Sequence, residues 1–205
     1  MAGAGYETSD FWAKKARKEG YPARSVYKLM ELDAKFRLLR KGFRVLDIGA
    51  APGSWSMWIL KTLDGTGFLS SVDLQDLGVH PSADNFHFLQ GDLYDPAIRA
   101  ELAARGPYDL VLSDAAPATS GNRGLDTDRS EALVEAVLDY ADGMLRQGGS
   151  VVAKLFIGGG QRELLDRMKG SYRTARAFKP EACRTISFET YLVGLQRLDA
   201  GSADR

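Results

Sequence analysis

R-V-L-D-I-G-A-A-P-G-S-W, from Arg44 to Trp55, starts as one kind of element and ends as another. Arg44 to Ile48 reads as a short buried strand, and the residues from Ser54 onward take on helical spacing. Between them, Gly49 and Gly53 let the backbone pass close to a ligand, and the opening helix offers unpaired N–H groups. A strand, a glycine turn and a helix form the first half of a βαβ unit. The turn is neither G-x-G-x-x-G nor a P-loop, since no G-K-[ST] follows.

Working outward, the alternation continues. Strands are expected at Gly67–Leu74, Asn85–Leu89, Asp109–Ser113, Ser150–Phe156, Tyr172–Phe178 and Thr190–Leu198. Helices are expected at Ser54–Leu63, Pro96–Arg105, Asp128–Leu145 and Gln161–Lys169, with Pro96 suited to a first turn and Gly148-Gly149 to a stop. Strands separated by helices predict an α/β fold with a mainly parallel sheet covered on both faces. No internal repeat or linker is visible, so residues 1–205 read as one domain, with 199–205 as a frayed tail.

Composition narrows the class. With 44% hydrophobic and 26% charged residues, the chain has the make-up of an ordinary soluble globular protein. No apolar run approaches a membrane span, and no basic stretch followed by an apolar one marks a secretory leader. The single cysteine, Cys183, allows no internal disulfide, which fits a reducing compartment and makes the cytoplasm the expected location. His80 and His87 have no cysteine or paired ligand near them in sequence, so no metal site is expected.

The net charge of zero hides an asymmetry. Phe11 to Arg44 carries eleven Lys/Arg against three acids, a local +8 that the rest of the chain cancels. A second basic-leaning stretch runs from Arg162 to Arg184. Such segments are solvated surfaces or phosphate-binding faces. Lys14, Lys15, Arg17, Lys18 and Arg24, within the basic segment 1–42, are the candidates for RNA contact.

The strand ends carry the chemistry. In open α/β sheets, ligands sit at the carboxyl ends of the strands. The first strand delivers Gly49 and Gly53, with the backbone of Trp55 beyond them. The second ends at Asp73, where a carboxylate can accept the hydroxyls of a ribose, and the third is followed by Asp92, suited to an adenine amino group. Each aspartate alone could be a turn residue. Together they fit an adenosine-containing ligand without a pyrophosphate, such as S-adenosylmethionine.

One residue in this pattern is anomalous. Lys154 interrupts the apolar run V-V-A-K-L-F, and lysine is almost never buried without a partner. Asp114 ends the neighbouring strand in L-S-D-A-A-P. Glu189 precedes an apolar run in S-F-E-T-Y-L-V-G, and Lys28 lies in A-R-S-V-Y-K-L. These segments, with Q-G-D-L and the glycine loop, resemble the FtsJ/RrmJ-type ribose 2′-O-methyltransferase family from about Tyr21 to Val193. The resemblance implies a Rossmann-like fold with a seven-stranded, mostly parallel sheet and S-adenosylmethionine as cofactor, with Asp114 also beside it. It further implies a catalytic tetrad of Lys28, Asp114, Lys154 and Glu189.

In that tetrad Lys154 takes the proton of the ribose hydroxyl. A lysine does this only when neutral. Burial and Lys28 favour the neutral form, whereas Asp114 and Glu189 favour the charged one. Among the family's substrates, the compact chain most resembles the bacterial enzyme acting as a monomer on a uridine of the 23S rRNA A-loop, with tRNA and mRNA caps as alternatives.

The sequence departs from the family at three places. Ser54 stands where many relatives have glycine, the loop after Asp114 reads A-A-P-A-T-S-G-N-R-G, and Phe188 replaces the usual arginine before Glu189. Rival readings lack their signatures. D-A-A-P is not the [DN]-P-P-[YF] of amino-nitrogen methylation, Cys183 has no adjoining proline, and a nicotinamide enzyme would need the pyrophosphate fingerprint. A non-catalytic module that keeps the cofactor for stability would not need Lys28, Lys154 and Glu189 together.

Overall fold

The computed structural model describes residues 4–183 and 187–199. Of the expected tail, only Asp199 falls within them. Two helices, α1 (Ala4–Lys18) and α2 (Val26–Phe36), precede the first strand, β1 (Arg44–Ile48), and α3 (Ser54–Leu63) follows it. Then come β2 (Phe68–Asp73), β3 (Phe86–Gln90), α4 (Pro96–Ala104), β4 (Tyr108–Ser113), α5 (Arg123–Met144) and β5 (Leu145–Phe156). The chain closes with α6 (Gln161–Ser171), β6 (Tyr172–Phe178) and β7 (Glu189–Arg197).

The seven strands form one sheet in the order β3-β2-β1-β4-β5-β7-β6. Pairing is parallel from β3 through β5, and β7 lies antiparallel between β5 and β6. This is the expected mostly parallel α/β sheet, and the reversed β7 has a consequence for the site.

Strand alternation assigns each side chain to one of two cores. Leu46, Val111, Val151, Ala153 and Leu155 face the layer containing Val134, Val137, Leu138 of α5 and Leu164, Met168 of α6. Val45, Leu110, Leu112, Val152, Tyr191 and Val193 face Leu29 and Leu32 of α2 and Ile59 and Leu63 of α3. By the same parity, Lys154 points to the α2 side. A smaller cluster, Ala16, Tyr21, Val26 and Tyr27 with Trp12 and Trp58 packed against it, seats the end of α1.

Two boundaries differ from the sequence expectation by more than two residues. Helix α5 begins at Arg123, five residues before Asp128, because the Asn122 side chain accepts from the N–H groups of Gly124 and Leu125. That cap offsets the poor helix propensity of Gly124. Strand β5 begins at Leu145 instead of Ser150, with Gly148 in the left-handed region at φ 73°. The glycine pair therefore bends a strand and does not separate a helix from it.

Candidate active site

The end of β1 leads into the glycine loop, and its path is narrow. A Cβ on Gly49, whose φ is +78°, would lie 2.5 Å from the Ala115 backbone, so glycine is required where the loops after β1 and β4 touch. The Gly49 N–H donates to the Val72 carbonyl and Asp114 N–H to the Ile48 carbonyl, which fixes three strand ends against one another.

A cavity of about 630 Å³ opens at these ends, lined among others by Gly49, Asp73, Asp92, Tyr94, Asp114 and Ala115. That volume lies within the range of roughly 300–1,000 Å³ usual for small-molecule sites. Asp73 Oδ2 accepts the Ala51 N–H at 2.9 Å, and Oδ1 the Gln75 N–H at 2.8 Å. Each carboxylate oxygen has a second lone pair, so Asp73 is oriented yet still able to take two hydroxyls. Asp92 Oδ1 accepts the Tyr94 N–H at 2.9 Å and is similarly held. The apolar walls and two oriented carboxylates fit the adenosine part of S-adenosylmethionine.

Gly53 and Trp55 are not among the residues lining this cavity. The Trp55 indole turns away from it into the core, where it stacks on Tyr191 with ring centres 6.0 Å apart and donates to the Ser25 carbonyl at 2.9 Å. Ser54, at the family's glycine position, is buried; its hydroxyl accepts from Ala23 N–H at 2.8 Å and donates to Ala23 carbonyl at 3.1 Å. Both residues thus pin the loop before α2 to the start of α3.

That loop carries Lys28 to its place. Lys28, on the first turn of α2, is 7% exposed and its Nζ lies 2.6 Å from Glu189 Oε1. Lys154 Nζ lies 3.2 Å from Asp114 Oδ1 and donates to the Asp114 carbonyl at 2.5 Å. The four predicted tetrad residues are therefore brought together as two ion pairs on one side of the sheet. The antiparallel β7 explains part of this: Lys154 pairs with Tyr191 and Phe156 with Glu189 across the β5–β7 ladder, so Lys154, Tyr191 and Glu189 share one face.

Tyr191 completes the group and was not predicted. Fully buried, it donates its hydroxyl to Asp114 Oδ1 at 2.6 Å, and Lys28 Nζ sits 5.9 Å from its ring centre. Within an apolar run its aromatic ring reads as core; only its position two residues after Glu189 could have signalled the shared face.

The electrostatics follow from burial and pairing. Desolvation pushes the Asp114 carboxyl upward, but Lys154, Lys28 and the Tyr191 hydroxyl outweigh it, and its pKa is lowered. Glu189 is likewise lowered, with Lys28 outweighing desolvation. For Lys28 desolvation acts downward, and Asp114 and Glu189 together raise its pKa. Burial, then the two carboxylates, raise Tyr191 well above the ordinary tyrosine value. Cys183 nearby is pushed up to about 12 by burial and by Glu189, so it is a thiol and no nucleophile. The quartet sets two amines against two carboxylates.

The basic segment forms the α1–α2 side. Lys14, Arg17 and Lys18 are exposed on α1, while Arg24 is half-buried in the loop before α2. Lys15 is half-buried; its Nζ lies 4.8 Å from the Tyr27 ring centre and 3.9 Å from Glu19. His80 pairs with Asp76 and His87 with Glu101, both at 3.0 Å. Among the described residues, no group of three metal-ligating side chains converges and no helix is long and apolar enough to cross a membrane.

Comparison with known proteins agrees with this fold. The model of the FtsJ-like methyltransferase family matches residues 21–197. The ribosomal RNA large subunit methyltransferase E of Treponema denticola is 51% identical over 195 residues, covering 95% of this chain and 98% of that protein. Its counterpart in Desulfosudis oleivorans is 40% identical over 196 residues, covering 96% and 94%. A crystal structure of a Plasmodium falciparum protein described as a ribosomal RNA methyltransferase superposes with a TM-score of 0.75 at 28% identity, covering 87% of this chain and 99% of that one. Human methyltransferase-like protein 13, solved with SAH, shares the fold with a TM-score of 0.60 at 18% identity, covering 85% of each chain. The chain belongs to the FtsJ-like methyltransferase family and is an S-adenosylmethionine-dependent RNA methyltransferase.

Proposed function

We propose that the chain methylates a ribose 2′-hydroxyl of a uridine in the A-loop of 23S rRNA, using Lys154 as the proton acceptor. The observation that carries this reading is the quartet of one buried and three half-buried charged side chains, with Lys28 2.6 Å from Glu189 and Lys154 3.2 Å from Asp114 beside the cofactor cavity. Base methylation at an exocyclic nitrogen would have no use for two lysines at that point.

When bound, S-adenosylmethionine supplies an electrophilic methyl group. A neutral hydroxyl is a poor nucleophile, so the protein must remove its proton and hold its oxygen in line. Lys154 does the first in its neutral form. The Asp114 carbonyl and carboxylate hold its nitrogen in one orientation, and Tyr191 holds the carboxylate. Lys28, fixed by Glu189, adds positive charge beside the oxygen as negative charge develops on it. Asp73 and Asp92 hold the adenosine, with Gly49 and Asp114 completing the cofactor site.

The relatives named for large-subunit rRNA methylation, in Treponema denticola and Desulfosudis oleivorans, match nearly the whole chain, which supports the 23S substrate. On this reading residues 1–205 form one domain acting as a monomer in the cytoplasm. The segment 1–42 lays Lys14, Lys15, Arg17, Lys18 and Arg24 against rRNA phosphates. Mapping 2′-O-methyls on total RNA from cells with and without the gene tests it. Loss of one A-loop uridine 2′-O-methyl is expected. A lost mark on tRNA or an mRNA cap, or on a base, would overturn the substrate or the atom.

A further inference from the structure

Next to Glu189 of the tetrad lies a second group of side chains. Phe188 directly precedes Glu189, and its ring packs on Phe156 with centres 4.8 Å apart and planes at 60°. The Arg123 guanidinium lies over Phe188, 5.2 Å from its centre. Phe156 is buried and two residues beyond Lys154; Phe188 is half-buried and Arg123 exposed. None of the three lines the cofactor cavity.

The group is held in place from both sides. The Ile157 N–H donates to the Phe188 carbonyl at 2.7 Å, tying the end of β5 to the approach to β7. The Asn122 cap fixes the first turn of α5, from which Arg123 projects. A planar cation on an aromatic ring, exposed outward and anchored inward, is a surface on which a nucleobase stacks; both guanidinium planes and phenyl rings serve RNA this way. A phosphate site alone would call for charge without the ring.

We propose that Arg123 and Phe188 form a stacking platform for a nucleobase of the RNA substrate, seating the strand so that the target ribose meets Lys154. This rests on the reading of the tetrad as a ribose-methylating site and extends it to how the RNA is held. Stacking fixes the sugar–phosphate chain next to the stacked base, and the platform lies one residue from Glu189. It therefore governs RNA affinity and register more than the chemical step. Losing one stacked base is worth on the order of 5- to 150-fold in affinity.

The test compares wild type with Phe188→Leu, Phe188→Trp and Arg123→Lys. It uses unmethylated large ribosomal subunits, measuring Kd by filter binding and KM and kcat by incorporation of labelled methyl. Phe188→Leu keeps the packing on Phe156 without a π-face, and Arg123→Lys keeps the charge without a plane. Both should raise Kd and KM by at least fivefold with a smaller change in kcat, and Phe188→Trp should retain wild-type values. Wild-type Kd in Phe188→Leu or in Arg123→Lys overturns the platform, the latter leaving Arg123 as a phosphate contact. The tetrad reading is scored separately, by the atom of wild-type RNA that carries the label.

Discussion

Tyr191 and Lys154 share one oxygen. The phenol donates to Asp114 Oδ1 at 2.6 Å, and the lysine Nζ lies 3.2 Å from the same atom. The tyrosine thereby competes for, and orients, the carboxylate that holds Lys154. Because β5 and β7 run antiparallel, the two residues stand opposite each other across the ladder.

Tyr191→Phe should keep the fold and the RNA affinity while lowering the rate. Removing a hydrogen bond to a charged group costs about 1.5–3 kcal/mol, so kcat should fall on the order of tenfold or more. Single-turnover rates at saturating RNA and cofactor check this. A variant as fast as wild type would make the phenol a packing group.

Asp73→Asn should weaken cofactor binding by about 1.5–3 kcal/mol, the cost of losing charge-assisted acceptors for ribose hydroxyls. Asp73→Ala should lose more, because the Ala51 and Gln75 N–H groups lose their acceptor as well. Calorimetric titration with S-adenosylmethionine decides it, and unchanged affinity in folded variants would remove Asp73 from the site.

Asp47 makes a prediction about pH. It is fully buried, and one oxygen accepts from Ser56 at 2.8 Å. Desolvation raises its pKa to about 7, with Asp114 and Asp73 adding to the rise. An unfolded aspartate titrates near 4, so between about pH 4 and 7 the folded state holds a proton that the unfolded state has lost. Stability from this group therefore falls as pH rises through that window, by up to about 4 kcal/mol. Asp114 and Glu189, with lowered values, act oppositely: their contribution is present above the ordinary carboxylate range and lost as pH falls through their folded values. Relative to wild type, Asp47→Asn should gain in urea midpoint from pH 5 to pH 8. Parallel curves for the two proteins would contradict the assignment.

Replacing Lys14, Lys15, Arg17 and Lys18 together with glutamine should weaken RNA binding. It should also flatten the dependence of affinity on salt, by roughly one unit of log–log slope for each phosphate that is no longer neutralised. An unchanged slope would make these residues a solvated surface.

How much of this was legible depends on the kind of residue. Asp73, Asp92 and Asp114 follow from strand ends that a parallel sheet must align, so reading the strands locates them. Lys154 was legible because an apolar run makes a lysine conspicuous. Tyr191 was not, since a tyrosine inside Y-L-V is what a core strand contains, and only the antiparallel register puts its hydroxyl on Asp114. Nor was the direction of Trp55: its place after the glycine loop suggests the ligand, whereas its indole answers the Ser25 carbonyl and anchors α2. The early start of α5 was hidden by Gly124, and only the Asn122 cap accounts for it. Pattern reveals a residue's neighbours along the chain; which way its side chain turns is decided by partners far away in sequence.

The central claim is that Lys154 takes the proton, and single-turnover methyl transfer across pH by wild type, Lys154→Ala and Lys154→Arg tests it most directly. Wild-type rate should rise with pH as the amine becomes neutral and then level off. Lys154→Ala should transfer no methyl yet still bind S-adenosylmethionine, whose proposed contacts come from other strand ends. Lys154→Arg should be nearly as inactive, because arginine keeps the charge but cannot give up its proton at working pH. An arginine variant that retains most of the wild-type rate would contradict the account and leave Lys154 as an orienting charge.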